Sequence, residues 1–176
     1  MRDMKEVTIE ALRVSLMNYN RVVVLKEKDA DRYLTIYIGA AEADAIAIRL
    51  QNVSVQRPMT HDLMTNVMQE LGASVTRVVV TEVRNDTYYA RVFLDVNNEQ
   101  VEIDSRPSDA IALAVRAEAP IFVEDEVIDQ AGVLLDDEGL VATDEEGRPE
   151  PVKPEELEKM SAFRDFIESL DMDDFE

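Results

Sequence analysis

Ile103-Asp104-Ser105-Arg106-Pro107-Ser108-Asp109-Ala110-Ile111-Ala112-Leu113-Ala114 is the stretch on which the fold turns. An extended run, Val101-Glu102-Ile103, stops at a polar elbow, and a helix begins almost at once. Pro107 suits the first helical turn, where its missing N–H has no partner to lose. Ser105 is placed to cap the free backbone donors of that turn, and Asp109 sits early enough to feel the positive end of the macrodipole. From Ala110 to Val115 the helix is apolar all round and mostly Ala, which predicts burial with its backbone close to a sheet. Two carboxylates, two hydroxyls and a guanidinium therefore stand at the mouth of a buried helix.

Upstream, the same order of elements occurs twice. Val7 to Val14, Arg21 to Lys28 and Tyr33 to Ile38 read as strands, and after Gly39 a small-residue helix runs from Ala40 to Leu50. The second set is Val75 to Val83, an Asn85-Asp86 turn, Thr87 to Leu94, an Asn97-Asn98 turn and Val101 to Ile103. Shifting the first half by 65 positions lays Asp44-Ala45-Ile46-Ala47 on Asp109-Ala110-Ile111-Ala112 and Ile38 on Ile103. The agreement of strand, turn and helix order predicts an internal duplication of a three-strand-plus-helix unit. The copies differ at the elbow: Gly39-Ala40-Ala41-Glu42 in one, Asp104-Ser105-Arg106-Pro107 in the other. Chemistry is expected where they diverge.

Between the units lies Gln56-Arg57-Pro58-Met59-Thr60-His61-Asp62-Leu63, with Thr60 as the expected N-cap. A helix should follow with Leu63, Met64, Val67, Met68 and Leu71 packed inward, ending at Gly72. After the second unit, Ala119-Pro120 stops the helix, Ile121-Phe122-Val123 adds a short strand, and Val127 to Ala131 adds a helical turn.

The 176 residues carry a formal charge of −20, which at first sight excludes a polyanion as partner. The distribution alters that reading. Residues 1–123 hold 18 acids and 14 bases, whereas residues 124–176 hold 20 acids and 4 bases. A body that is nearly neutral leaves room for a local basic groove. The chain is expected to divide into a domain over 1–132, an acidic linker over 133–153 and an acidic amphipathic helix over 154–176. That helix would present Leu157, Met160, Phe163, Phe166, Ile167 and Leu170 to its own body or to a protein partner. No apolar run is long enough to span a membrane, no signal-peptide core is visible at Met1–Glu6, and cysteine is absent, which together point to a cytoplasmic location.

Taken together, Arg57-Pro58-Met59-Thr60-His61-Asp62-Leu63, Tyr88-Tyr89-Ala90, Asp104 to Ala114 and Pro120-Ile121-Phe122-Val123 resemble the bifunctional nuclease (BFN) domain family. The resemblance covers roughly Glu6 to Gly132 and implies cleavage of both RNA and DNA. The residues supply candidate roles but no established mechanism. His61 is the only histidine, so imidazole acid–base chemistry must use it; its alternative is a structural place in a first helical turn. Asp62, Asp104 and Asp109 are candidate catalytic carboxylates and oxygen ligands for Mg²⁺ or Mn²⁺, or else ordinary loop and helix-start carboxylates. Arg57 and Arg106 each precede a proline just before a helix. With Thr60, Ser105 and Ser108 they could hold phosphate, or simply pair with neighbouring aspartates. Tyr88 and Tyr89 face opposite sides of a strand, so one belongs in the core while the other is free to stack on a base.

These readings predict an α+β body in which two β3α units build a mixed, strongly curved or barrel-like sheet with helices outside and an acidic helical tail. The function expected from the resemblance is a metal-assisted nuclease acting on RNA or DNA, working as a homo-oligomer. The rival is a non-catalytic module that binds a nucleotide or a protein through the same elbow.

Overall fold

A computed structural model describes residues 3–14 and 19–134; the expected acidic tail, from residue 135 on, lies outside the described residues. Seven strands form one mixed sheet: β1 (Met4–Val14), β2 (Arg21–Glu27), β3 (Tyr33–Ile38), β4 (Ala73–Arg84), β5 (Thr87–Val96), β6 (Glu99–Ser105) and β7 (Ile121–Glu124). The helices are α1 (Ala40–Leu50), α2 (Thr60–Glu70), α3 (Pro107–Ala117) and α4 (Asp125–Ala131).

The strand order is β3-β2-β1-β7-β4-β5-β6. Each half is an antiparallel meander with its first strand innermost, and β7 joins them, antiparallel to β1 and parallel to β4. The tight connections Asn85-Asp86 and Asn97-Asn98 adopt positive φ at both residues, as two-residue hairpins require. Register shifts at Ile9/Ala11, Val75/Arg77 and Val80/Glu82 bend the strands. The sheet curls far enough that Ile36–Ile38 of β3 and Tyr88 of β5, from opposite sides of the strand order, line one cavity with Arg106. It does not close into a barrel: β3 and β6 are its two ends.

One contiguous core lies between the inner sheet face and the helices. It includes Val23, Leu25, Val78, Val80, Val92 and Val123 from the strands, Ile46 from α1, Ala110 to Ala114 from α3, and Val127 and Ile128 from α4. Ile46 and Ile111, which a shift of 65 positions superimposes in the sequence, are both fully buried. Each removes an apolar side chain worth about 1.5–3 kcal/mol from water. The alanines of α3 let its backbone approach β4 and β5.

Three local expectations need correction. The elbow is shorter than predicted: β6 continues through Ser105, because Asp104 and Ser105 pair with Arg91 and Ala90 of β5. Ser105 therefore does not cap α3; Arg106 is the N-cap, and the Ser105 hydroxyl donates to the Arg106 carbonyl. Thr60 is likewise not the cap of α2, since Met59 holds that place and its N–H donates to Asp62 at 2.8 Å. The third correction concerns the facing of α2. Leu63, Met64, Val67 and Leu71 are exposed, while His61 is buried and Met68 packs on the core. No helix among the described residues is long and apolar enough to cross a membrane.

Candidate functional site

The starts of α1 and α3 lie side by side. Arg106, the N-cap of α3, reaches Glu42 in the first turn of α1 at 2.8 Å, and at the other end Arg49 stands 4.0 Å from Glu118. The two helices thus run in the same sense, with their positive ends together. Neither N-cap residue supplies a side-chain capping bond, so first-turn N–H groups remain as donors on both. Gly39 leaves room at the start of α1 for the end of a flexible side chain. A Cβ there would collide with the Glu42 carboxylate, which folds back over it on its way to Arg106.

Asp109 sits at the centre of a chain of polar contacts. One oxygen accepts from Arg106 Nε at 2.6 Å, and the other lies 2.9 Å from His61 Nε2. Burial raises the cost of ionising Asp109, but the Arg106 and His61 hydrogen bonds outweigh it and hold the carboxyl below the usual aspartate value. An ionised carboxylate is acceptor only, so His61 Nε2 must be the donor in that contact. His61 is only 6% exposed, whereas the Arg106 side chain is 67% exposed. The buried partner is oriented, and the cation faces solvent.

A second polar contact fastens α2 to α3. Arg116 Nε donates to Asp62 at 2.6 Å, and its Nη1 donates to the carbonyls of Ala45 and Ala112. For Asp62, burial again opposes ionisation, and the Met59 N–H followed by Arg116 overcomes it, leaving the carboxyl below its ordinary value. The Arg116 side chain is 5% exposed, so this pair works mainly as a brace.

The structure therefore unites His61, Asp109 and Arg106, with Ser108 in the first turn of the same helix. It does not gather the rest. Asp104 stands opposite Arg91 on β6, and strand alternation puts it on the face away from Val92 and the helices. Arg57 is exposed and makes no ion pair among the described residues, and Thr60 is exposed in the first turn of α2. Tyr88 is half-buried against the core; burial, with the charge of Asp86 second, pushes its hydroxyl pKa up. Tyr89 projects from the other face, with the Arg84 guanidinium 5.3 Å from its ring centre. The three aspartates expected to share a metal do not converge: among the described residues no three His, Asp or Glu side chains form a cation site. Among the described residues these donors do not form a site for a protein-held Mg²⁺ or Mn²⁺.

Two participants were missed at the sequence level. Glu42 lies in the elbow treated as the plain copy, yet the 65-residue shift sets it opposite Pro107, in the matching first turn. Arg116 is two turns after Asp109 on the same face of α3, a spacing visible in sequence, but its partner on α2 is not.

What this geometry defines is an α+β domain that presents a guanidinium, an oriented Asp–His pair and free helix donors at one surface. Residues 23–136 match the family described as Bifunctional nuclease domain, and the chain belongs to that family. It is 40% identical over 172 residues to an uncharacterized protein of Mycobacterium tuberculosis (strain ATCC 25618 / H37Rv), covering 98% of each chain. It is 32% identical over 108 residues to Bifunctional nuclease 1 of Oryza sativa subsp. indica, covering 59% of this chain and 33% of that one. With Bifunctional nuclease 1 of Arabidopsis thaliana it shares 31% identity over 125 residues, 69% of this chain and 38% of the relative.

Proposed function

We propose that the chain is a nuclease that hydrolyses phosphodiester bonds of RNA and DNA at the start of α3. The observation that carries this is the contact chain Glu42–Arg106–Asp109–His61 beside two helix starts. A phosphate oxygen would take the outer edge of Arg106 and the first-turn N–H groups, as anions do at helix starts. Arg106's present ion pairs lie at an exposed guanidinium, where such pairs contribute little, so exchanging one for phosphate costs little. Its charge would then offset charge that builds on the phosphate during displacement. Asp109 fixes the His61 ring by accepting from Nε2, which leaves Nδ1 as the imidazole atom for proton transfer. Sequence relatives named bifunctional nucleases support the same reading.

Two broader parts of the reading rest on the fold. The equal element order of the halves, with Ile46 and Ile111 in matching buried places, supports duplication of one ancestral unit. The exposed stripe Leu63, Met64, Val67 and Leu71 supports a homo-oligomer, which light scattering tests directly.

A second reading has its own support. His61 is nearly buried and no three-donor cation site is formed among the described residues, which favours a module that binds nucleotide or protein without cutting. Cleavage of labelled RNA and DNA, with and without EDTA, separates the two when wild type and Asp109→Asn are purified in parallel. The nuclease reading expects at least about a 100-fold rate loss in the variant. Equal rates in both preparations would mark a contaminant and favour the binding module. Loss of activity in EDTA would show that cleavage needs a divalent cation.

A further inference from the structure

The cavity at the paired helix starts has a volume of about 280 Å³ and is lined by Tyr37, Gly39, Asp86, Tyr88, Arg106 and Ser108, among others. We propose that it is a subsite for one unpaired nucleotide, so that the preferred polynucleotide is single-stranded. The inference rests on the nuclease reading for the identity of the ligand, but it stands on observations of its own.

Its volume lies just below the usual range of ligand cavities, about 300 to 1,000 Å³, and suits one nucleotide unit rather than a length of duplex. Its polar lining is unfilled in a way that points to an anion. Ser108 is 7% exposed, lines the cavity, and its hydroxyl has no hydrogen-bond partner among the described residues. The first-turn donors of α1 and α3 lack side-chain caps at the same place, and Arg106 supplies the charge. A phosphate held there would replace Glu42 at Arg106 while Asp109 stays in position behind it. The apolar part of the lining fits the other end of a nucleotide. Tyr88 offers a half-buried ring in the wall, Tyr37 an exposed one, and a base can stack on either without regard to sequence. Asp86 adds an acceptor for an exocyclic amine. Bases in a duplex are already stacked and paired, so entry would require flipping one out first; a single strand has no such cost.

Fluorescence anisotropy, with gels verifying that both probes stay intact during the reading, tests the subsite using a short labelled single strand and the same strand annealed to its complement. The full chain should bind the single strand at least about tenfold more tightly than the duplex. Tyr37→Ala should weaken single-strand binding about 5- to 100-fold and leave duplex binding unchanged, while Tyr37→Phe, which keeps the ring, should match wild type. Tyr37 is exposed, so folding should survive either change, and circular dichroism verifies it. Equal affinity for both forms, or no effect of Tyr37→Ala on the folded protein, would overturn the subsite. The nuclease reading fails separately. Equal cleavage of duplex and single strand sinks only the strand preference, whereas selective binding without any cleavage sinks only the nuclease.

Discussion

The starts of α1 and α3 are the same backbone device with different contents. Both follow the outermost strand of a three-strand meander, and both open a helix that buries an isoleucine at the matching turn. At α1 the chain supplies Gly39 and a carboxylate, Glu42; at α3 it supplies Arg106, Ser108 and Asp109. Read separately, the second start looks functional and the first looks like scaffold. In space, Glu42 closes on Arg106, so the candidate site spans both helix starts and not the more polar one alone. Two helix starts that differ in sequence can therefore supply complementary parts of one contact chain.

Breaking the junction at its buried end should have the largest effect. His61→Ala removes the imidazole and should lower cleavage about 100- to 10,000-fold if His61 moves the proton. A rate near wild type would assign the imidazole a structural role. Next comes the brace between α2 and α3. Arg116→Ala leaves the Asp62 carboxylate and two carbonyls without their donor and should destabilise the fold by about 2–4 kcal/mol, read from urea unfolding.

Acid unfolding sharpens the contrast further. Asp62 and Asp109 both ionise below their ordinary value, so each adds stability that is present above about pH 3.9 and is lost as pH falls through the lower folded value. Asp62→Asn should flatten the stability curve below about pH 4 and leave its slope near neutrality unchanged. The smallest effect is expected from Asp104, one of the three candidate catalytic aspartates. Asp104→Asn, on the opposite sheet face, should change cleavage by less than about threefold and stability by less than about 0.5 kcal/mol. A large rate loss there would move the site to the outer face.

The fold was legible where local chemistry and burial agree. Pro107 at the first turn, the Asn pairs at the hairpins, and the apolar run Ala110 to Ala114 specify their elements without outside help. The facing of α2 was not legible. Leu63, Met64, Val67 and Leu71 have the spacing of a core stripe, but His61 and Asp62 are tied to Asp109 and Arg116, and those polar bonds fix the rotation of the helix. Side-chain periodicity carries no information about partners 48 and 54 residues away. The site was half legible for the same reason. His61, Asp109 and Arg106 stood out by type and position, Glu42 and Arg116 needed the third dimension, and the β5–β6 ladder drew Asp104 away.

Arg106 gives the most direct test, because it is exposed, carries charge to the proposed phosphate position and contributes little to folding. Single-turnover cleavage of a single-stranded oligonucleotide by Arg106→Gln, with melting temperature measured on the same sample, separates the roles. The account predicts at least about a 100-fold slower rate with melting within a few degrees of wild type. An unchanged rate in the folded variant would contradict a phosphodiester site at the start of α3.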